Sequence, residues 1–168
     1  MNDGWPDNLV VRSLTTTDAH QMAGWQYGGP WEIYDLTDDL PTAADGYRAV
    51  ADADTDRIVG FFCTGTEARV PGLDEDPDLI DLGVGMDPKW VGQGHGKDFG
   101  EVVLTHLRRD HPSTPIRAAI QAWNRRSRQL VRRLGFVEHD RHHCVQNGRD
   151  VTYIVAILSA QAIRSGRS

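Results

Sequence analysis

Asp87-Pro88-Lys89-Trp90-Val91-Gly92-Gln93-Gly94-His95-Gly96-Lys97 is the stretch on which the fold of this 168-residue chain turns. The run before it, Leu79–Met86, reads as a strand that stops at Asp87-Pro88. Gly94–Asp110 reads as a helix, with Phe99, Val102, Val103, His106 and Leu107 along one stripe and Glu101 opposite. Alternate glycines between a strand and a helix N-terminus permit a tight loop whose backbone N–H groups face one point. With the helix dipole added, that is an anion site suited to a pyrophosphate. A ligand-free turn is the other reading of the same glycines. Two familiar glycine loops are excluded. The G-x-x-x-x-G-K-[ST] loop fails because Gly92 to Gly96 leaves three intervening residues and Asp98 stands where Ser or Thr is needed. Neither Gly92 nor Gly94 starts a G-x-G-x-x-G fingerprint.

The strand before the loop alternates. Ile80, Leu82, Val84 and Met86 point to one face, and Leu79, Asp81, Gly83 and Gly85 to the other. Two glycines on one face leave bare backbone, which means that something approaches closely there.

Leu9–Ser13 is a short apolar run ending at Thr15-Thr16-Thr17-Asp18, the pattern of a capped helix N-terminus. Ala19–Tyr34 is aromatic-rich and broken at Gly28-Gly29-Pro30, so it reads as a helix running into a loop. Tyr47–Asp52 and Ile58–Thr66 read as strands around the turn Ala53–Asp56. Arg69–Asp78 is an acidic surface loop. Ile116–Ala122 is the next strand, and Asn124 caps a helix that stops at Leu134-Gly135. Phe136–Cys144 and Val151–Leu158 form a hairpin around Asn147-Gly148. The order implies one mixed α/β domain over residues 1–168, built on one central sheet.

Composition narrows the class. With 39% hydrophobic and 25% charged residues, the chain carries enough apolar material for one core and is not a disordered polymer. No secretory leader and no run long enough to cross a bilayer is visible. Cys63 and Cys144 are too few for a disulfide framework, so a reducing cytoplasm is expected, and 16 Arg against 2 Lys fits a GC-rich bacterial genome. Residues 1–88 hold 18 Asp/Glu and 4 Arg, a net of −14, whereas residues 89–168 hold 14 Lys/Arg and 6 Asp/Glu, a net of +8. A basic half implies an anionic partner and an acidic half a cationic one; a salt-bridged surface with no partner is the alternative.

The motifs carry a family resemblance. A strand ending before a Pro, then a loop of the R/Q-x-x-G-x-G/A type opening a helix, is similar to the coenzyme A-binding motif of the GNAT superfamily of N-acetyltransferases. Here it runs Val91-Gly92-Gln93-Gly94-His95-Gly96. Further on, such proteins carry a strand, an Asn, a short helix and Gly-Phe. This chain has Ala122-Trp123-Asn124, then Leu130–Phe136 with Gly135-Phe136 at its end. The closer likeness is to bacterial members with an Asp-[Ile/Leu]-Gly-x-Gly strand before the loop, here Asp81-Leu82-Gly83-Val84-Gly85.

The resemblance implies a mixed, mainly antiparallel sheet flanked by helices. It implies acetyl-coenzyme A as co-substrate, bound between the Leu79 and Ile116 strands, and direct transfer to an amine in a ternary complex. It also implies roles. The backbone of Val84, Gly85 and Met86 pairs with the pantetheine amides, and the amides of Val91, Gly92, Gln93, Gly94, His95, Gly96 and Lys97 hold the pyrophosphate. Asn124 touches the pantetheine arm, caps a helix, or does both. Trp25, Tyr27, Trp31 and Tyr34 either wall the acceptor side or pack in the core. A base must take a proton from the attacking ammonium. Asp81 is the candidate, its alternative being a structural acid, with Glu32, Glu67 and Glu138 behind it.

Two positions depart from the pattern. Val91 replaces the usual Arg or Gln, and Val131 stands where many members carry a Tyr that protonates the leaving thiolate. These departures leave a non-catalytic acyl-coenzyme A-binding module as the rival class.

Other chemistry finds less support. His139, His142, His143 and Cys144 lack a second ligand pair at zinc spacing, so no metal is expected. No Ser sits in a G-x-S-x-G elbow. Arg125, Arg126, Arg128, Arg132 and Arg133 read as a solvated helix face with one or two near the coenzyme 3′-phosphate, not as a nucleic-acid surface. Neither nucleic acid nor membrane is an expected partner, and the amine is expected to be cationic.

Overall fold

The computed structural model describes residues 3–29 and 40–160. Among them are seven strands and three α-helices: β1 (Leu9–Ser13), α1 (Thr16–Ala23), β2 (Tyr47–Asp52), β3 (Ile58–Thr64), β4 (Ile80–Met86), α2 (Gly96–Asp110), β5 (Ile116–Gln121), α3 (Arg125–Arg133), β6 (Val137–Gln146) and β7 (Arg149–Leu158). The strand order is β1-β2-β3-β4-β5-β7-β6, a mixed and mostly antiparallel sheet. Its parallel pairing is β4 with β5, at Ile80↔Ile116 and Asp81↔Arg117. The chain groups into two compact units, one of Met1–Cys63 and Val84–Val103, the other of Thr64–Gly83 and Leu104–Ser168.

In the first unit β1, β2 and β3 form an antiparallel meander. α1 starts where the sequence places it. The Thr15 hydroxyl accepts from the Asp18 N–H and the Asp18 carboxylate accepts from the Thr15 N–H, a reciprocal cap. Arg12 of β1 clasps the same carboxylate at 2.5 and 3.0 Å, which fixes the helix to the strand. The helix is shorter than the aromatic segment implied, because Gly24 caps it. Leu14, Ala19, Met22, Trp25, Ala49 and Ile58 make the buried cluster, with Tyr27, Tyr47 and Phe61 packed against it.

In the second unit β7 lies between β5 and β6, antiparallel to both. The β6–β7 hairpin turns at Asn147 (φ 53°) and Gly148 (φ 75°), as an Asn-Gly pair favours. α3 has little apolar surface and places Arg125, Arg126 and Arg128 at its positive end, against the helix dipole. Two devices offset this. Asn124 Oδ1 caps the Ser127 N–H at 3.1 Å. Arg128 forks onto Glu138 of β6 at 2.9 and 3.1 Å, with Arg132 joining at 3.1 Å. Gly135 (φ 103°) then ends the helix as expected.

The Arg128 hydrogen bond holds the Glu138 carboxyl down from its ordinary 4.5 to about 2. A depressed acid contributes stability above its unfolded value and loses it as pH falls through the folded one. Glu138→Gln should therefore flatten the acid limb of stability between pH 4.5 and about 2. Urea midpoints across that window check this, and parallel limbs in the two proteins would reject it.

Candidate active site

β4 and the loop after it occupy the first unit from Val84 onward. Gly85 is glycine because Phe61 lies against it: a Cβ there would overlap the Phe61 ring. The close approach expected on the glycine face is thus made by a protein side chain. Gly60 of β3 has the same reason, since a Cβ would overlap the Phe99 ring and come within 2.7 Å of the Gly85 carbonyl. Val84 is half exposed. The Met86 carbonyl accepts the Tyr27 hydroxyl proton at 2.7 Å, tying the segment after α1 to the end of β4.

The Asp87 N–H still reaches the Val59 carbonyl of β3 at 2.8 Å, and the strand stops at Pro88, which has no N–H to donate. The Asp87 carboxylate accepts from the Lys89 N–H at 3.0 Å and caps a single 3-10 turn, Pro88–Trp90. The Gln93 side-chain amide donates back to the Lys89 carbonyl at 2.5 Å. Gly92 (φ 77°) and Gly94 (φ 85°) take left-handed conformations that L side chains adopt only with strain. Among the described residues, the N–H groups of Gly92, Gln93, Gly94 and His95 make no backbone hydrogen bond. Those of Gly96, Lys97 and Asp98 open α2, where no intrahelical acceptor exists. A Cβ on Gly94 would meet nothing within 4 Å. The result is a run of donors beside open space at a positive helix end, a fit for a diphosphate. Val91 differs from its expected part. Its N–H goes to the Pro88 carbonyl at 3.3 Å, so the run of open donors begins at Gly92.

Asp81 lies in the second unit, 5% exposed. Arg117 of β5 forks onto it, Nε to Oδ1 at 2.6 Å and Nη2 to Oδ2 at 3.1 Å, and Arg69 Nη1 reaches Oδ2 at 3.2 Å. Both carboxylate oxygens are held. The two guanidiniums also donate onward, Arg117 to the Asp74 carbonyl at 2.8 Å and Arg69 to the Thr66 hydroxyl at 3.0 Å. This buried cluster pins the acidic loop before β4. Nothing local in the sequence records it: Arg117 meets Asp81 through the β4–β5 register, and Arg69 reaches it from the loop before β4.

Of the four aromatics, Trp25 is in the first unit's core, 8% exposed, and Tyr27 is half buried on Met86. Trp31 and Tyr34, like Glu32, lie outside the described residues. Asn124 is buried at 3% exposure and acts as the α3 cap. Lys97 is exposed and reaches Glu101 at 3.7 Å. Among the described residues no group of three His, Cys, Asp or Glu is arranged to hold a metal, and no helix is long and apolar enough to cross a membrane.

A mixed sheet whose fourth strand feeds a glycine loop and a helix N-terminus is the arrangement that the resemblance to acyl-coenzyme A-dependent acyltransferases implies. Residues 8–137 match the family described as "Acetyltransferase (GNAT) domain", and the chain belongs to that family of acetyl-coenzyme A-dependent acetyltransferases. No curated protein matches the sequence. Solved structures agree on the fold. A GNAT-family acetyltransferase from Bacillus anthracis is 12% identical, with TM-score 0.71 over 93% of this chain and 97% of that one. A spermidine/spermine N-acetyltransferase from Vibrio cholerae is 16% identical, with TM-score 0.68 over 96% and 100%. An aminoglycoside acetyltransferase in complex with coenzyme A is 15% identical, with TM-score 0.67 over 96% and 100%.

Proposed function

We propose that this chain, working as one domain over residues 1–168, moves an acetyl group from acetyl-coenzyme A directly to a primary amine. The observation that carries this reading is the run of open N–H donors from Gly92 to Lys97 at the start of α2. These amides hold the pyrophosphate. The backbone of Val84, Gly85 and Met86 receives the pantetheine amides, while Asn124, in the other unit, serves as the α3 cap. Tyr27 closes the acceptor end from the Met86 side, with Trp25 packed in the core of the same unit.

For Asp81 the geometry favours the structural alternative. A base needs a lone pair open toward the amine, and both Asp81 oxygens already accept from arginines. The amine then loses its proton to water. With Val131 in place of a hydroxyl, the thiolate takes its proton from water as well. The acidic balance of residues 1–88 favours a cationic acceptor, a small polyamine-like molecule or a basic peptide. A spermidine/spermine N-acetyltransferase and an aminoglycoside acetyltransferase share the fold, and amines of that kind head the test panel. Two free cysteines fit a reducing, cytoplasmic setting.

The test is thiol release from acetyl-coenzyme A across a panel of cationic, neutral and anionic amines. Turnover with cationic amines that falls as salt screens the field over roughly 8–10 Å supports the reading. Saturable coenzyme A binding without turnover on any amine would identify a binding module instead. Turnover confined to neutral or anionic amines would reject the charge argument alone.

A further inference from the structure

The segment Asp3-Gly4-Trp5 lies on the glycine loop, within the first unit. His95, between Gly94 and Gly96, is held by it from two directions. The Trp5 indole stacks on the His95 ring, with centroids 4.3 Å apart and planes 5° from parallel. The Asp3 carboxylate pairs with His95 Nε2 at 2.5 Å. The Trp5 indole N–H donates to Asp98 Oδ2 at 2.8 Å, in the first turn of α2. Trp90, buried at the start of the loop, stands edge-on to both rings, 5.3 Å from Trp5 and 5.8 Å from His95. Gly4 (φ 92°) supplies the turn that lets Asp3 and Trp5 reach the same imidazole, and the Trp5 N–H closes it on Asp3 Oδ1 at 3.1 Å.

A loop carrying Gly92, Gly94 and Gly96 has much conformational freedom, and freezing it on a ligand costs entropy that weakens binding. A residue locked between two glycines removes part of that cost beforehand. The bond to Asp98 does a second thing: it couples the loop to the first turn of α2, so that both sets of donors keep one geometry.

We propose that Trp5, assisted by Asp3, is a positioning residue for the acyl donor, holding His95 and Asp98 so that the flanking amides stay aimed at the diphosphate. The inference rests on the reading of the loop as a diphosphate site. Trp5 does not touch the donor; it acts through His95.

Calorimetric titration of the wild type, Trp5→Ala and Trp5→Phe with coenzyme A, ADP and pantetheine tests this. The first two ligands carry the diphosphate and the third does not. In Trp5→Ala the dissociation constants for coenzyme A and ADP should rise about tenfold, and that for pantetheine should not change. Trp5→Phe keeps an aromatic face and loses the bond to Asp98, so it should fall between. Equal weakening for all three ligands would show a general packing role and overturn the proposal, as would unchanged affinity for coenzyme A. If Trp5→Ala does not fold, Trp5→Phe carries the same comparison: selective weakening supports the proposal, and wild-type affinities overturn it. A wild type that binds coenzyme A no better than pantetheine overturns the loop reading itself, and this inference with it.

Discussion

Asp81→Ala should destabilise the protein by about 3–5 kcal/mol, the usual cost of removing one partner from a buried ion pair. The residues left behind are the reason. Arg117 is 9% exposed, and its guanidinium is oriented entirely by Asp81 and the Asp74 carbonyl. Without the carboxylate it is a buried cation with one neutral acceptor, and Arg69 loses a partner too. Chemical denaturation measures the loss, and a change below about 1 kcal/mol would show that the cluster is solvated and weak. Replacing Asp81 and Arg117 together by Leu and Met should recover the part due to Arg117, because that part lies in its unpaired charge, while the loss at Arg69 remains. The kinetic side separates the two readings of Asp81. If it is structural, the fraction of Asp81→Asn that folds retains turnover within about tenfold of wild type. A loss of about 10²–10⁴-fold, with fold and coenzyme A affinity intact, would restore Asp81 as the base.

The same residue shows how far a sequence can be read. β4 was legible because hydrophobic periodicity and Pro88 mark its limits locally, and the loop because glycine is the cheapest residue at Gly92 and Gly94. Thr15, Asn124, Gly135 and Asn147-Gly148 were legible for a like reason: each acts on backbone within a few residues of itself. What was hidden depends on register. Arg117 lies beside Asp81 because Ile80 pairs with Ile116, and nothing local to either residue records this. Phe61 against Gly85 is likewise a neighbour-strand contact: the bare glycine face announced a close approach, but not which group makes it. Trp5 gave least warning. A tryptophan near an N-terminus, flanked by Gly4 and Pro6, has no period to betray it, and its partner His95 is 90 residues on.

Gly94→Val should abolish the stabilisation of this protein by coenzyme A. Ligand at about 100 times its dissociation constant adds roughly 2.7 kcal/mol to a native state that alone binds it, and the melting temperature rises accordingly. Gly94 has φ 85° and open space where a Cβ would go. Valine there does two things that must be told apart. It strains the backbone, at roughly 1–2 kcal/mol for an L residue in the left-handed region and more for a β-branched one. It also puts methyl groups into the space beside the open donors. Gly148 supplies the control, with φ 75°, an equally open Cβ position and a place in the β6–β7 turn. Gly148→Val should lower the ligand-free melting temperature by a similar amount yet keep the full shift with coenzyme A. Gly94→Val should lower it and show no shift. If the shift survives in Gly94→Val, the space beside Gly94 is not where the diphosphate binds. If it disappears in both variants, strain alone accounts for the loss.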